Sequence, residues 1–232
     1  MKIEKTDFVS GAAEAKGIVV IIDVFRAFSV ACYCFKKGAV RIYPVGEIAD
    51  ALSLNKEIPD SILIGERYGK KLEGFDFGNS PTEIISADLH SKVVVHTTHA
   101  GTQGLVNAFH ADELLTGAFV NASATAAYIR GRAPEIVTLV RMGLNGEISS
   151  DEDNLCAEYL ESLLLDTRFD SQAIKQTLAR SPFAERFFDP AKPWNPSSDF
   201  DLCLDLDIFD FAIRSETDKQ GRLFLSKTNI NP

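Results

Sequence analysis

No apolar run in this sequence approaches the length of a membrane-spanning helix. Runs such as Ile18 to Ile22 are only a few residues long, whereas a helical span needs roughly 20 residues. The residues that follow Met1 to Lys5 also lack the apolar region of a secretory signal. We therefore expect a cytoplasmic protein that has no membrane partner.

Cysteine and basic residues are scarce as well. The four cysteines have neither a CxxC spacing nor the pattern of a disulfide framework, so we expect buried thiols. Lysine and arginine number 24 against 33 aspartate and glutamate residues, which gives a net charge of -9. This balance argues against nucleic acid as a partner, because nucleic acid binding rewards clustered cations. An anionic ligand would need a local basic pocket.

Apolar, β-branched runs alternate with helix-like segments through the first two thirds of the chain. The strand candidates are Ile18–Ile22, Val40–Tyr43, Ile62–Ile64, Val93–Val95, Glu113–Leu115 and Ile136–Val140. The helix candidates are Ala27–Lys37, Glu47–Lys56, Pro81–Ala87, Gln103–Phe109, Ala122–Arg130 and Asp151–Leu165. This alternation predicts an α/β fold, with a doubly wound, mostly parallel sheet between helix layers.

The pattern becomes less regular after residue 165. Helix candidates remain at Ser171–Ala179 and Pro182–Phe188, and the proline-rich stretch Asp189–Pro196 cannot continue a helix. We therefore predict an α/β core at residues 1–165, which carries the active site. Residues 166–232 are predicted to form a helical and irregular extension that packs on this core. The sequence leaves open whether the chain forms a homo-oligomer.

Polar residues that suit anions or metals follow several of the predicted strands. They are Asp23, Arg26, Glu66, Arg67, Thr97, Thr98, His99, Asn121, Ser123 and Arg141. The carboxyl ends of parallel strands lie on one edge of an open sheet, where ligands usually bind. We therefore expect these side chains to converge on one site.

The glycine-rich segment Gly65–Pro81 supports two interpretations. Ser80, Pro81 and Glu83 match an N-cap, a first helical proline and a capping box. That interpretation leaves the glycines and basic residues of the preceding loop unexplained. A glycine-rich loop that leads into a helix N-terminus is also a typical anion site, so we keep both.

Two further groups of residues are also ambiguous. The acidic start of the helix at Asp151 stabilises a helix N-terminus by itself, but Glu152 or Asp153 could instead hold a hard cation. His96 and His99 form an HxxH pair, which is weak evidence for zinc without further ligands. His99 suits a phosphate contact or a proton donor better.

Common phosphate chemistries do not fit the sequence. It has no GxxxxGKS/T loop and no convincing GxGxxG fingerprint. A cysteine phosphatase needs arginine six residues after its nucleophile, and none of the four cysteines has one. Asp205 and Asp23 each begin only part of an aspartyl-phosphate motif. For a phosphoester, metal-assisted attack by water remains.

Several segments together resemble the 2-phosphosulfolactate phosphatase family. Residues 22–29 are similar to its IDVLRATS-type motif, and residues 65–81 to its GER and GFDLGNSP motifs. Further similarities are Asn121 to Ser123 and the acidic pair at Glu152 with the later Cys156-Ala157. The TTNGT element appears here as TTHAGT at residues 97–102, one residue longer and with His99 in place of Asn. Because this turn is predicted to line the site, we expect as substrate either that of the family or a related small phosphorylated acid.

The resemblance implies a magnesium-dependent phosphomonoesterase that converts 2-phospho-3-sulfolactate to 3-sulfolactate and phosphate, a step of coenzyme M biosynthesis. The catalytic residues that it implies are Asp23, Arg26, Glu66 and Asp76. The metal ligands are Asp23, Glu66, Glu152 and Asp153. The substrate contacts are Arg67, Lys70, Lys71, Asn79, Ser80, Thr97, Thr98, His99, Asn121 and Ser123.

The alternative hypothesis is a non-catalytic family member that binds a small polyanion as a sensor or assembly component. The two hypotheses differ in whether phosphate is released from an ester. If the enzyme hypothesis holds, Asp23→Asn and Arg26→Ala should reduce activity far more than stability. A structural role would instead make both losses equal.

Overall fold

The computed structural model describes residues 1–229. Its strands are β1 (Lys2–Asp7), β2 (Gly17–Ile22), β3 (Arg41–Pro44), β4 (Ile62–Arg67), β5 (Lys70–Lys71), β6 (Val93–Thr97), β7 (Ala111–Gly117), β8 (Ile136–Arg141), β9 (Phe211–Thr217) and β10 (Leu223–Asn229). Its α-helices are α1 (Phe8–Glu14), α2 (Ala27–Lys36), α3 (Ile48–Glu57), α4 (Pro81–Ile85), α5 (Gly101–Asn107), α6 (Ala122–Arg132), α7 (Asp151–Leu165), α8 (Ile174–Leu178) and α9 (Ser197–Cys203). Short 3-10 turns cover Phe119–Asn121, Ser171–Ala173 and Glu185–Phe187.

The strands of the described residues form one mixed sheet in the order β1-β8-β2-β7-β9-β10-β3-β6-β4-β5. One parallel block contains β1, β8, β2 and β7, and a second contains β3, β6 and β4. These parallel blocks and their helices confirm the predicted α/β fold with a mostly parallel sheet.

The C-terminal hairpin of β9 and β10 lies between the two parallel blocks. The hairpin is paired along its whole length, but it meets each block through a single residue pair, Leu115 with Arg214 and Leu225 with Ile42. All of these pairings are antiparallel, so the blocks run in opposite senses along the sheet. Twist accumulates by roughly 20–25° per strand, which rotates one block relative to the other. The carboxyl ends of the two blocks meet all the same, since a Cβ on Gly101, after β6, would lie 2.7 Å from Oδ2 of Asp23, after β2.

Strand β2 is apolar along its whole length because both of its faces are covered by helices. Val19 and Ile21 join the hydrophobic cluster beneath α2 and α5, whereas Val20 and Ile22 join the cluster beneath α6 and α7. Successive side chains of a strand point to opposite faces, so both faces of β2 are buried. Helices therefore cover the sheet on both sides, as the sequence predicted.

The segment after residue 165 combines a predicted part with an unpredicted one. The helix expected at Ser171–Ala179 is present as a 3-10 turn followed by α8, but Pro182–Phe188 is helical only at Glu185–Phe187. Helix α9 and the hairpin were not predicted, because β9 and β10 carry polar residues over half their length. The hairpin makes this segment part of the sheet. The predicted division at residue 165 stays a prediction.

The cysteines are free and buried, as expected. Burial raises the pKa of the Cys32 and Cys156 thiols well above the usual range, which keeps both protonated and inert. Among the helices of residues 1–229, none is long and apolar enough to cross a membrane.

We predict that Ile213→Ala lowers the free energy of unfolding by roughly 2–5 kcal/mol, as expected for a cavity in a packed core. Ile213 lies on β9 and is 0% exposed, whereas Ile208 just before the hairpin is 46% exposed. The control Ile208→Ala should change the free energy by less than about 0.5 kcal/mol. Urea unfolding of both variants measures the difference. Equal small effects would contradict a central position for the hairpin.

Candidate active site

A cleft of about 360 Å³ lies where the carboxyl ends of the two parallel blocks meet. The residues predicted from the sequence that line it are Asp23, Arg26, Glu66, Asn79, His99 and Glu152. The C-terminal segment lines its other side with Pro182, Phe183, Glu185, Arg186, Lys192, Trp194 and Asn195. The residues that follow the strands therefore supply most of the carboxylates, and the segment after residue 165 supplies cations, aromatic rings and one further carboxylate.

Glu66 joins the ends of β4 and β6. One oxygen of its carboxylate accepts a hydrogen bond from Gly69 N at 2.6 Å, and the other accepts one from His99 N at 2.9 Å. Gly69 has a φ of +78°, a conformation that glycine adopts without strain. These backbone donors fix the carboxylate at the rim of the cleft, and the remaining lone pairs can face a ligand.

Asp23 follows β2 and is buried at the start of α2. Its Oδ1 accepts a hydrogen bond from Ala27 N at 3.1 Å. Burial raises the pKa of Asp23 to about 6, the Ala27 N–H opposes this change, and the negative charge of Glu66 adds to it. Gly101, at the start of α5, lies so close that a Cβ there would be 2.7 Å from Oδ2. The second block thus approaches Asp23 closely because residue 101 has no side chain.

Glu152 lies in the first turn of α7 and is 4% exposed. Within the described chain its Oε2 is buried without a hydrogen-bond partner. Burial raises the pKa of Glu152 to about 7, although the positive charge of Arg186 opposes the shift and Asp23 adds to it. An unpartnered buried carboxylate oxygen is costly. It therefore indicates a ligand that this residue would contact.

Asp153 lies beside the cleft rather than on its surface. Its Oδ1 accepts a hydrogen bond from Val24 N at 2.9 Å, and its Oδ2 accepts one from Gly143 N at 2.8 Å. The carboxyl group thereby ties the residues that follow β2 to those that follow β8. Its pKa is raised by burial and by the neighbouring Glu152 and Asp23. The structure assigns Asp153 a positioning role, while its role as a metal ligand stays a prediction.

Arg26 lines the cleft, yet much of its guanidinium is engaged within the protein. Nη1 donates to Asp199 Oδ2 at 2.6 Å and to Trp194 O at 3.1 Å, and Nη2 donates to Gly69 O at 3.2 Å. The side chains of Arg26 and Asp199 are 3% and 0% exposed. Arg26 therefore neutralises a buried carboxylate, a role that the sequence analysis did not anticipate.

Asp199, which the sequence analysis missed, connects α9 to the glycine-rich loop. Its Oδ1 accepts hydrogen bonds from Ser80 Oγ at 2.9 Å, Thr82 N at 2.9 Å and Thr82 Oγ1 at 2.6 Å. Ser80 also caps α4, because its Oγ accepts a hydrogen bond from Glu83 N at 3.4 Å. Nothing in the local sequence Ser197–Cys203 separates Asp199 from a surface aspartate.

Arg186, which lines the cleft, is a second side chain that the sequence analysis did not single out. It belongs to the 3-10 turn Glu185–Phe187, and its Nη2 donates to Phe25 O at 3.1 Å. Burial lowers the pKa of Arg186, and the charges of Glu152 and Asp23 counteract this change. The sequence held one signal for this residue, namely the charged pair Glu185-Arg186 within the aromatic stretch Phe183–Phe188.

The two histidines of the HxxH pair have different environments. His96 is buried, its Nε2 lies 3.2 Å from Asn79 Oδ1, and burial lowers its pKa to about 4. A neutral His96 ring can donate to Asn79 and orient that side chain at the cleft. His99 lines the cleft with its ring edge-on to Tyr68, and its Nδ1 has no hydrogen-bond partner within residues 1–229.

Part of the glycine-rich loop lies outside the cleft. Arg67 donates to Gly46 O and to Thr97 Oγ1, which ties β4 to β6 and to the loop after β3. Lys70 and Lys71 are exposed on β5. Asp76 is exposed too, and its Oδ2 accepts a hydrogen bond from Leu63 N at 2.8 Å. None of these four side chains lines the cleft, so Arg67 does not converge there with the other strand-end residues, and the catalytic and substrate-binding roles of the four stay predictions.

The remaining predicted substrate contacts also bind protein groups. Thr98, in the turn before α5, forms hydrogen bonds with Thr102 in the first turn of that helix. Asn121 Nδ2 donates to Phe211 O at 3.3 Å, and Ser123 Oγ donates to Asp207 Oδ2 at 2.7 Å. Asn121 and Ser123 thereby anchor the chain that leads into β9. Their place after β7 follows from the order of the chain, but their partners come from a distant segment.

Oxygen ligands for a hard cation are present in the cleft. No group of three or more His, Cys, Asp or Glu side chains within residues 1–229 is arranged to hold a metal. Magnesium, however, usually takes one or two protein carboxylates and keeps several waters. Asp23, Glu66 and Glu152 provide such carboxylates, and the unpartnered Oε2 of Glu152 suits this use. These residues fit a magnesium ion by donor chemistry.

Comparison with known proteins gives one consistent family. The sequence model of the family described as 2-phosphosulpholactate phosphatase matches residues 5–217. A probable 2-phosphosulfolactate phosphatase of Bacillus subtilis (strain 168) is 31% identical over 205 residues, which cover 87% of this chain and 88% of that protein. A protein of the same name in Clostridium perfringens (strain SM101 / Type A) is 33% identical, and the match covers 89% of this chain and 87% of that protein. Another, in Carboxydothermus hydrogenoformans, is 33% identical, and the match covers 94% of this chain and 93% of that protein.

We predict that Arg26→Ala lowers the free energy of unfolding by about 3–5 kcal/mol, because it leaves the buried charge of Asp199 without its partner. This expectation replaces the one from the sequence, in which activity would fall far more than stability. The control is Arg180→Ala, since Arg180 is exposed. Urea unfolding checks both variants, and a loss below about 1 kcal/mol for Arg26→Ala would contradict the role of the ion pair.

Glu152→Gln is predicted to stabilise the metal-free protein at pH 8 but not at pH 5. The pKa of Glu152 rises from 4.5 to about 7 on folding. The folded state therefore binds the extra proton between these values, and stability falls as pH rises through them. The gain at pH 8 should be of the order of 1–3 kcal/mol.

Scanning calorimetry at both pH values measures this difference. Glu158→Gln provides a matched control, since Glu158 is an exposed glutamate on the same helix. It should shift the Tm little at either pH. A lower Tm for Glu152→Gln at pH 8 would show that Glu152 stabilises the fold instead of straining it.

Proposed function

Because the chain belongs to the 2-phosphosulfolactate phosphatase family, a family of phosphatase enzymes, we propose that it hydrolyses 2-phospho-3-sulfolactate with the aid of magnesium. The reaction would release 3-sulfolactate and phosphate. This is the kind of step that occurs in coenzyme M biosynthesis. The observation that carries the proposal is the cleft itself. Buried carboxylates from the ends of both blocks face arginines across a space of about 360 Å³, which suits a small anionic substrate.

The charge balance of the cleft supports a cation. Asp23, Glu66 and Glu152 bring carboxylates, whereas the charge of Arg26 is already matched by Asp199. A phosphorylated acid that carries further acidic groups would be repelled by these carboxylates. A magnesium ion held by Asp23, Glu66 and Glu152 would offset this repulsion. When bound, it supplies charge stabilisation to the phosphoryl oxygens and an orienting point for water.

The residues of the chain have separate roles in the proposal. Glu66 and Asp23 are held rigidly by backbone N–H groups and would position the cation. Glu152 would complete the carboxylate ligands of the cation through Oε2, since that oxygen has no protein partner in the described residues. Attack by water is the simpler route, because the described cleft places no serine or cysteine as a nucleophile.

The C-terminal segment would exclude solvent from the reaction. Phe183 and Trp194 line the cleft opposite the strand ends. Lys70 Nζ lies 4.3 Å from the centre of the Trp194 ring, which braces this ring against the glycine-rich loop. A drier cleft strengthens every electrostatic contact inside it.

The test measures phosphate release from 2-phosphosulfolactate and from a panel of phosphoesters, with and without magnesium. We expect Asp23→Asn to lower kcat/KM by about 10²- to 10⁴-fold. Asp112→Asn is the matched control, since Asp112 is exposed near the start of β7, at the opposite end of its strand from the cleft. It should leave kcat/KM unchanged.

A second readout does not depend on turnover. Magnesium should raise the Tm of the wild-type protein at pH 8 and raise that of Glu152→Gln less, because binding to the folded state stabilises it. The absence of turnover on every ester, combined with retained binding of phosphate or sulfolactate, would instead support a polyanion sensor. If phosphate release is unaffected when magnesium is removed by a chelator, the proposed dependence on magnesium is wrong.

A further inference from the structure

The cleft contains two arginines, and they differ in how much of the guanidinium is engaged. Nη1 of Arg26 makes hydrogen bonds to Asp199 and Trp194, and its Nη2 makes one to Gly69. Its positive charge is paired with the fully buried carboxylate of Asp199. Arg26 therefore has little charge left to offer an incoming anion.

Arg186 is much less engaged. Its one hydrogen bond to the described residues runs from Nη2 to Phe25 O. Nε is buried and has no partner anywhere in residues 1–229. A buried N–H group without a partner is uncommon in proteins and calls for a ligand or water. The remaining N–H groups form the planar fork that recognises phosphate in a bidentate manner.

The surroundings of Arg186 hold its guanidinium in place over the cleft. The guanidinium carbon lies 5.1 Å from the centre of the Phe187 ring and 5.9 Å from that of Phe25. Glu152 and Asp23 are the carboxylates close enough to influence its charge. Arg186 also lines the same cleft as these two carboxylates, which are proposed to hold the cation.

We propose that Arg186 is a catalytic residue that binds the substrate phosphoryl group through its Nη atoms, across the cleft from the strand-end carboxylates. This inference rests on the proposed function and deepens it. The phosphoryl group would lie between a cation held by strand-end carboxylates and a guanidinium supplied by residues 185–187. Such fixed positive charge stabilises the transferring group more in the transition state than in the bound ester.

Arg186 could otherwise act only as a counter-ion for Glu152 and Asp23. That role requires a positive charge but no particular hydrogen-bond geometry, so lysine would replace arginine adequately. A phosphate contact requires the fork, which lysine lacks. The variants Arg186→Lys and Arg186→Ala therefore separate the two roles.

Inorganic phosphate is the probe, titrated by calorimetry into the full-length protein at saturating magnesium. We expect Arg186→Ala to weaken phosphate binding about ten- to hundredfold, and Arg186→Lys to recover only part of the loss. In steady-state assays kcat/KM should fall by at least as much. Added guanidinium should restore part of the turnover of Arg186→Ala, whereas added methylammonium, a cation without the planar fork, should not.

The control is Arg180→Ala, which removes an exposed arginine from the same segment and should match the wild type. Phosphate affinity that is unchanged in Arg186→Ala, or fully recovered by Arg186→Lys, would overturn the proposal. Absence of phosphate binding to the wild-type protein would overturn it too. If the wild type binds phosphate in an Arg186-dependent manner but hydrolyses no ester, the anion site stands and the proposed function fails.

Discussion

The buried ion pair between Arg26 and Asp199 joins the parts of the chain on which the site depends. Arg26 follows β2, Asp199 lies on α9, and the hydrogen bonds of Asp199 to Ser80 and Thr82 reach the helix after the glycine-rich loop. Charges in a dry interior are tolerated only when they are paired and hydrogen-bonded. The pair therefore ties the C-terminal segment to the residues that follow β2 and to the start of α4, beside the cleft.

The cleft stores strain that the rest of the fold must offset. Burial raises the pKa of Asp23 and of Glu152 because their charges have few compensating partners. Keeping both ionised destabilises the folded state, and such groups cluster at functional sites. The hydrophobic clusters on both faces of β2 supply the opposing stability. A bound cation would remove part of the cost, which links ligand binding to stability.

The C-terminal segment couples architecture to chemistry. Its hairpin lies between the two parallel blocks, and its irregular part brings Arg186 and Trp194 to the cleft. Asn121 and Ser123 hold the chain that connects these two parts. Asn121 and Ser123, which resemble substrate contacts in the sequence, thus anchor the C-terminal segment through Phe211 and Asp207.

Sequence patterns were sufficient for features that arise from local physics. The apolar run of β2 predicted a strand covered on both faces, and Ser80 with Glu83 predicted the start of α4. Asp23, Glu66 and Glu152 could be proposed because strand ends and helix starts are placed by local spacing.

Long-range packing decided the rest. Asp199 and Arg186 are separated by more than 100 residues from their partners Ser80 and Phe25, and no local pattern encodes such contacts. Arg67 and Asp76 have the residue types of a binding site. Their side chains instead form hydrogen bonds with backbone groups of Gly46 and Leu63, outside the cleft. Charge and spacing therefore indicate which side chains could bind an anion. Which of them face the cleft depends on the partners that folding brings to each side chain.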